Sequence, residues 1–317
     1  MFLSIERTYR PALRKEHPWK KEFKKHGLVY LLFLVPFTIL FLFKYVPMFG
    51  AQIAFRNYKP TLGVLGSEWV GLKYFIKYFS SPYFYITVKN TLVLNCYSLL
   101  TFPLALVFAL VLKYTPFMHF RKSVQMLSYA PHFISTVVVC GLITQFLSAR
   151  IGMINKVLEL FGFEAANWMG KVSAFPHIYV WSDVWQHLGF NSIIFISALA
   201  GISMEQHEAA IVDGASLFRR IIHVDIPGIL TTFIILLILR VGSLMNIGYE
   251  KVLLLQNDLN RAASEIISTY TYKVALQSTL PQYSYASAIG LFASVINLIL
   301  LFSVNRITRT LSGRSLW

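Results

Sequence analysis

Six apolar stretches divide the 317-residue sequence, at residues 28–43, 91–112, 124–147, 177–200, 229–247 and 287–304. In lipid, such a stretch must satisfy its backbone N–H and C=O groups internally, which an α-helix does within one segment. The expected fold is therefore all-α and polytopic, with six transmembrane helices. Composition agrees: 56 % of residues are hydrophobic and 14 % charged, with a mean hydropathy of +0.58. That balance excludes a soluble domain. A net charge of +15 would suggest nucleic acid in a soluble protein. Here the basic residues gather at the edges of the apolar runs and in the N-terminal tail, so anionic lipid is the expected partner and nucleic acid is not. Cys96 and Cys140 both lie in apolar runs and imply neither a disulfide nor a metal.

In chain order, residues 1–26 form a basic tail, carrying Arg7, Arg10, Arg14, Lys15, Lys20, Lys21, Lys24 and Lys25. Basic residues before an apolar core have the outline of a signal peptide. No small-residue cleavage site follows Phe43, so a retained first helix is expected. The positive tail places the N-terminus in the cytoplasm. Six spans return the C-terminal tail, with Arg306, Arg309 and Arg314, to the same side. The expected organisation is a cytoplasmic tail at 1–26, a first span with an external loop at 27–82, a core at 83–306 and a cytoplasmic tail at 307–317. Pro103 and Pro131 are expected to kink the second and third spans. In the external segment 148–175, Ile151, Ile154, Leu158 and Phe161 recur at helical spacing and predict a short surface helix. Segment 248–283 is also read as external, with a short helix around Ala262 to Gln277.

Between the fourth and fifth spans, the stretch from Glu208 to Pro227 is polar and charged. Ala209 and Ala210 favour helix, Gly214 allows a sharp bend, and Pro227 suits the start of the next helix. Glu208-Ala209-Ala210, then Asp213-Gly214-Ala215, then Val224, Ile226 and Pro227 resembles the EAA loop of ABC importer permeases. Val224 and Ile226 stand where that family usually has Ile and Leu. Further stretches are similar to the LplB/YteP-type carbohydrate permeases: Phe43 to Gly50, Trp69-Val70-Gly71-Leu72, Ser80 to Phe84, Lys89-Asn90-Thr91, Ser128 to Ser135, Thr269 to Tyr272, Gln282 to Ala286 and Ser315-Leu316-Trp317. The resemblance implies a type I importer core of the MetI/MalF kind in the cell membrane, taking up oligosaccharides released from polysaccharides. It implies that loop 201–228 docks on a cytoplasmic ATPase through Glu208, Ala209, Ala210, Asp213, Gly214 and Ala215. It also implies a second permease, an ATPase dimer and an extracellular sugar-binding protein as partners.

No G-x-x-x-x-G-K-[ST] loop occurs, so ATP is expected on the partner ATPases and no cofactor on this chain. There is no H-E-x-x-H and no cysteine cluster, and the expected task is transport rather than catalysis. Polar groups inside spans are costly and invite a functional reading. Asp183 and His187 sit four apart on one helical face, with Gln186 and Phe190 beside them and Trp181 and Trp185 flanking. Arg240 is expected mid-span with Ser243 nearby, and His132 and Thr136 form another four-spaced pair. Sugars stack C–H faces on aromatic rings and pair hydroxyls with polar groups, so His132, Thr136, Asp183, Gln186, His187, Phe190, Arg240 and Ser243 are the expected substrate pathway. In the related maltose-type permeases, the sugar meets the spans flanking the EAA loop. The competing expectation is that Asp183 and Arg240 pair with each other, or with a second subunit, to hold helices together. An ion-coupled secondary sugar transporter is the alternative function, though it calls for more intramembrane carboxylate than Asp183. A purely structural scaffold leaves the loop spacing unexplained.

Overall fold

The computed structural model describes residues 18–246 and 248–312. By internal contacts the chain divides into two units, residues 1–52 and 53–317. In the first, helix α1 (Pro18–Leu40) runs into a π-turn at Phe41–Tyr45, where the Val46 N–H bonds the Phe41 carbonyl just before Pro47.

The second unit begins with strands β1 (Arg56–Asn57) and β2 (Glu68–Trp69), paired antiparallel with Arg56 opposite Trp69. Helix α2 (Lys73–Phe79) follows, then the long α3 (Pro82–Tyr114). Ser81 caps α3, its hydroxyl accepting from the Tyr83 N–H, so the helix starts nine residues before the apolar run begins. The ladder is interrupted at Phe102, beside Pro103.

The third span is not one straight helix. Helix α4 (Met118–Tyr129) passes through a 3₁₀ turn at Ala130–Phe133 into α5 (Thr136–Phe146), with a bend of 100°. Ile134 and Ser135 are extended, and Ser135 caps α5 by accepting from the Val138 N–H. A serine cap after the proline restarts the helix in a new direction, where apolar content alone suggested continuity.

Surface helix α6 (Met153–Leu160) holds part of the expected stripe, with Ile151 before it and Phe161 at its cap. Helix α7 (Phe175–Ala200) is the fourth span, and it packs on α3, α4 and α9. Gly189 permits its approach to α4: a Cβ there would stand 2.3 Å from the Ser128 carbonyl oxygen. Helix α8 (Met204–Val212), in the loop after the fourth span, leaves α7 at 71°.

Helix α9 (Leu217–Gly242) is the fifth span. It begins ten residues before Pro227, so that proline does not open the helix as its sequence suggested. A π-turn at Ile221–Asp225, in which the Ile226 N–H reaches the Ile221 carbonyl, shifts the ladder immediately before Pro227 and accommodates its missing donor. This is the same device as at Pro47.

Segment 248–283 holds the expected helix around Ala262 to Gln277 in broken form, and adds a further helix and a buried face that were not expected. It forms α10 (Tyr249–Leu255), α11 (Arg261–Ser264) and α12 (Ile267–Tyr272), followed by a π-turn at Lys273–Gln277. Val252, Leu255 and Ile266 lie in the core against Leu94, Cys140 and Val180. Loop polarity concealed this because its polar groups bond inward. Asn90 donates to the Ala262 and Glu265 carbonyls at 2.9 Å each, and Lys273 pairs with Glu265 at 2.8 Å. Helix α13 (Tyr283–Ser312) completes the set and packs on α2, α9 and α12. Among the described residues, four helices are long and apolar enough to cross a membrane, and counting each bent pair as one span gives six.

Candidate functional site

Two regions stand out, at opposite ends of α9. The first is the loop around α8. Ser203 caps its start by accepting from the Glu205 N–H. Its end closes in a Schellman turn: the Ala215 N–H bonds the Ala210 carbonyl at 2.8 Å, and the Gly214 N–H bonds the Ile211 carbonyl at 3.0 Å. Gly214 takes φ +74°, which a Cβ would oppose, so the expected bend falls there. Met204, Ile211, Val212 and Phe218 are exposed around Glu205, Glu208 and Asp213. An apolar helical patch rimmed by carboxylates has the character of a docking face.

Beneath that face lies a cluster that sequence reading missed. Asp225, at the end of the π-turn, is fully buried. It accepts from Lys113 Nζ at 2.6 Å and Tyr114 Oη at 2.5 Å, and His207 Nε2 stands 3.4 Å away. Its sequence signal was a lone carboxylate between Val224 and Ile226, which was read only for its apolar neighbours.

The second region is a cleft of about 320 Å³ between α3, α7 and α9. Asp183, Arg240 and Ser243 line it, as do Ser98, Thr101 and Asn191, none of which was among the expected residues. The same cost argument applied to α3 would have found Ser98 and Thr101. Arg240 is not mid-span. It lies in the last turn of α9, where its charge suits the helix C-terminus, and Ser243 Oγ donates to its carbonyl at 3.0 Å.

Asp183 and Arg240 do not pair. Asp183 instead meets Lys251 of α10 at 3.4 Å and His187 at 3.6 Å. Burial pushes the Lys251 ammonium below its ordinary range, against the opposing pull of Asp183. Arg240 has no carboxylate within 4.0 Å among the described residues, although Asp183 lines the same cleft.

The other expected residues gather on a neighbouring face of α7. His132 and His187 share an Nδ1–Nδ1 hydrogen bond at 3.0 Å, one donating and the other accepting. His132 stacks on Phe190 with centroids 3.7 Å apart. Gln186 donates to the Ile134 carbonyl at 3.0 Å and so serves the break between α4 and α5. That break also separates His132 from Thr136, which therefore do not form a four-spaced helical pair. Trp181 donates to Tyr97 Oη at 2.8 Å, and Trp185 is exposed.

Two proteins of Bacillus subtilis (strain 168) are 40 % identical to this chain. Protein LplB aligns over 301 residues, 94 % of each chain. The polygalacturonan/rhamnogalacturonan transport system permease protein YteP aligns over 300 residues, 92 % of this chain and 93 % of its own. A crystal structure of a bacterial ABC transporter involved in the import of the acidic polysaccharide alginate is also similar. One of its chains superposes with a TM-score of 0.86 at 33 % identity, covering 93 % of this chain and 100 % of that one. The bacterial alginate ABC transporter in complex with alginate pentasaccharide-bound periplasmic protein gives a TM-score of 0.85 at 34 % identity, over 95 % of this chain and 100 % of that one. No family model matches the sequence.

Proposed function

The chain belongs to the permease subunits of ABC carbohydrate importers, and from that premise we propose that it conducts carboxylate-bearing oligosaccharides. The observation that carries the substrate class is Arg240, a cleft-lining cation with no carboxylate partner within 4.0 Å among the described residues. A guanidinium presents a planar fork matched to a carboxylate. The acidic polymers named for the relatives, polygalacturonan and alginate, support the same reading. Asp183 is already held by Lys251 and His187, so it adds little repulsion to an incoming anion.

In this reading a second permease completes the pathway, and an external binding protein delivers the sugar, as the alginate complex supports. Two cytoplasmic ATPases bind ATP and receive α8, with Glu208, Ala209, Ala210, Asp213, Gly214 and Ala215 forming or shaping the docking face. Both termini lie in the cytoplasm. Transport proceeds by alternating access, with the cleft opening to one side and then the other as the ATPases close and reopen. The experiment is uptake into proteoliposomes holding the full complex and binding protein. Uptake that depends on ATP, and that a uronate oligosaccharide inhibits more strongly than a neutral one of equal length, supports the proposal. Equal inhibition by both rejects the acidic substrate class.

A further inference from the structure

We infer that the buried Asp225 is a positioning residue that carries movement of α8 into the second and fifth spans. The inference rests on the permease reading. Asp225 joins its own turn at the start of α9 to the end of α3 through Lys113 and Tyr114, and Lys113 carries the link on to α8 by donating to His207 Nε2 at 3.1 Å. His207 is the one side chain of α8 that hydrogen-bonds another element among the described residues.

In the chain, α8 is joined to its neighbours through two bends. On one side is the short 71° bend at Gly201-Ile202-Ser203, and on the other the Gly214 turn. A load on the exposed face of α8 would swing it about those two joints if His207 were not held. A fully buried carboxylate resists release, because an unpaired charge away from water is strongly disfavoured. The three segments therefore move together.

The two struts reach the cleft. Arg240 lies fifteen residues along α9 from Asp225, about 22 Å at helical rise. Ser98 and Thr101 lie on α3 some three to four turns from Lys113. Displacement of α8 is thus delivered to α3 and α9, two of the three helices that line the cleft.

The test uses the complete transporter, with second permease, ATPases and binding protein. ATP hydrolysis is measured per assembled complex, with and without sugar-loaded binding protein. Asp225→Asn keeps the shape and an acceptor while removing the charge. It is expected to lower the stimulation ratio about fivefold or more, the scale of coupling between distant sites. A wild-type ratio in Asp225→Asn, whatever the yield of complex, overturns the inference, since a merely structural residue changes yield and leaves the ratio alone. Where Asp225→Asn gives no complex, Tyr114→Phe is read the same way: a lowered ratio supports the inference and a wild-type ratio overturns it. Failure of the permease reading would appear elsewhere, as wild-type complex without ATP-dependent uptake.

Discussion

Arg240 and Asp183 share one cleft and differ in what holds them. Arg240 has no acidic partner within 4.0 Å among the described residues, so a substrate carboxylate is its natural complement. A charge-assisted hydrogen bond contributes about 1.5–3 kcal/mol, so Arg240→Gln should raise the half-saturating concentration of a uronate oligosaccharide by about ten- to a hundredfold. A neutral oligosaccharide, if carried, should be little affected, and uptake titrations with the two sugars separate the cases. Asp183 belongs to a pair with Lys251, which is nearly buried. Breaking a buried pair costs about 3–5 kcal/mol, and the partial exposure of Asp183 to the cleft places this one at or below the lower end. Lys251→Met should therefore lower the thermal midpoint of the purified complex, and Asp183→Asn with Lys251→Met should recover part of the loss. Sequence alone identified Asp183, because a carboxylate in an apolar run is conspicuous. It could not identify Lys251, which lies in a polar segment that reads as solvated loop and is carried into the core only by the fold.

Among the elements, α8 was legible and its anchorage was not. The helix, its cap and the Gly214 bend follow from local residues, and the positive φ of Gly214 is the point that admits the sharpest test. Proline fixes φ near −65°, incompatible with +74°. Gly214→Pro should abolish ATP-driven uptake while immunoblots of membranes still show the subunit; normal uptake would reject the docking role of this loop. The third span shows the opposite outcome. Its apolar content predicted one helix with a kink, but Ser135 starts a new helix after the bend of 100°. The fifth span was displaced because Pro227 has the form of a helix start, while the π-turn before it allows the helix to begin at Leu217.

For the whole molecule, the proposed arrangement has both termini in the cytoplasm and residues 148–175 outside. Single cysteines at Ser4, Lys171 and Ser312 in a cysteine-free background check it; Ser4 lies outside the described residues. Lys171→Cys should react with an impermeant reagent in intact cells, and the other two only after permeabilisation. Labelling of Lys171→Cys from inside alone would reject six spans in this orientation. What the sequence determined by itself was the all-helical membrane class, the spans at a coarse level, and the helix and Gly214 bend of the loop between the fourth and fifth spans. Each rests on apolar length or on residues adjacent in the chain, and lipid leaves the backbone few alternatives to helix. The tertiary structure alone decided which polar groups meet. Asp225 finds Lys113, Tyr114 and His207, Asp183 finds Lys251 instead of Arg240, and Glu265 finds Lys273. The first two sets draw partners from elements as many as 112 residues apart, and for all three a partner is fixed only when packing removes water and leaves each charge one place to be satisfied.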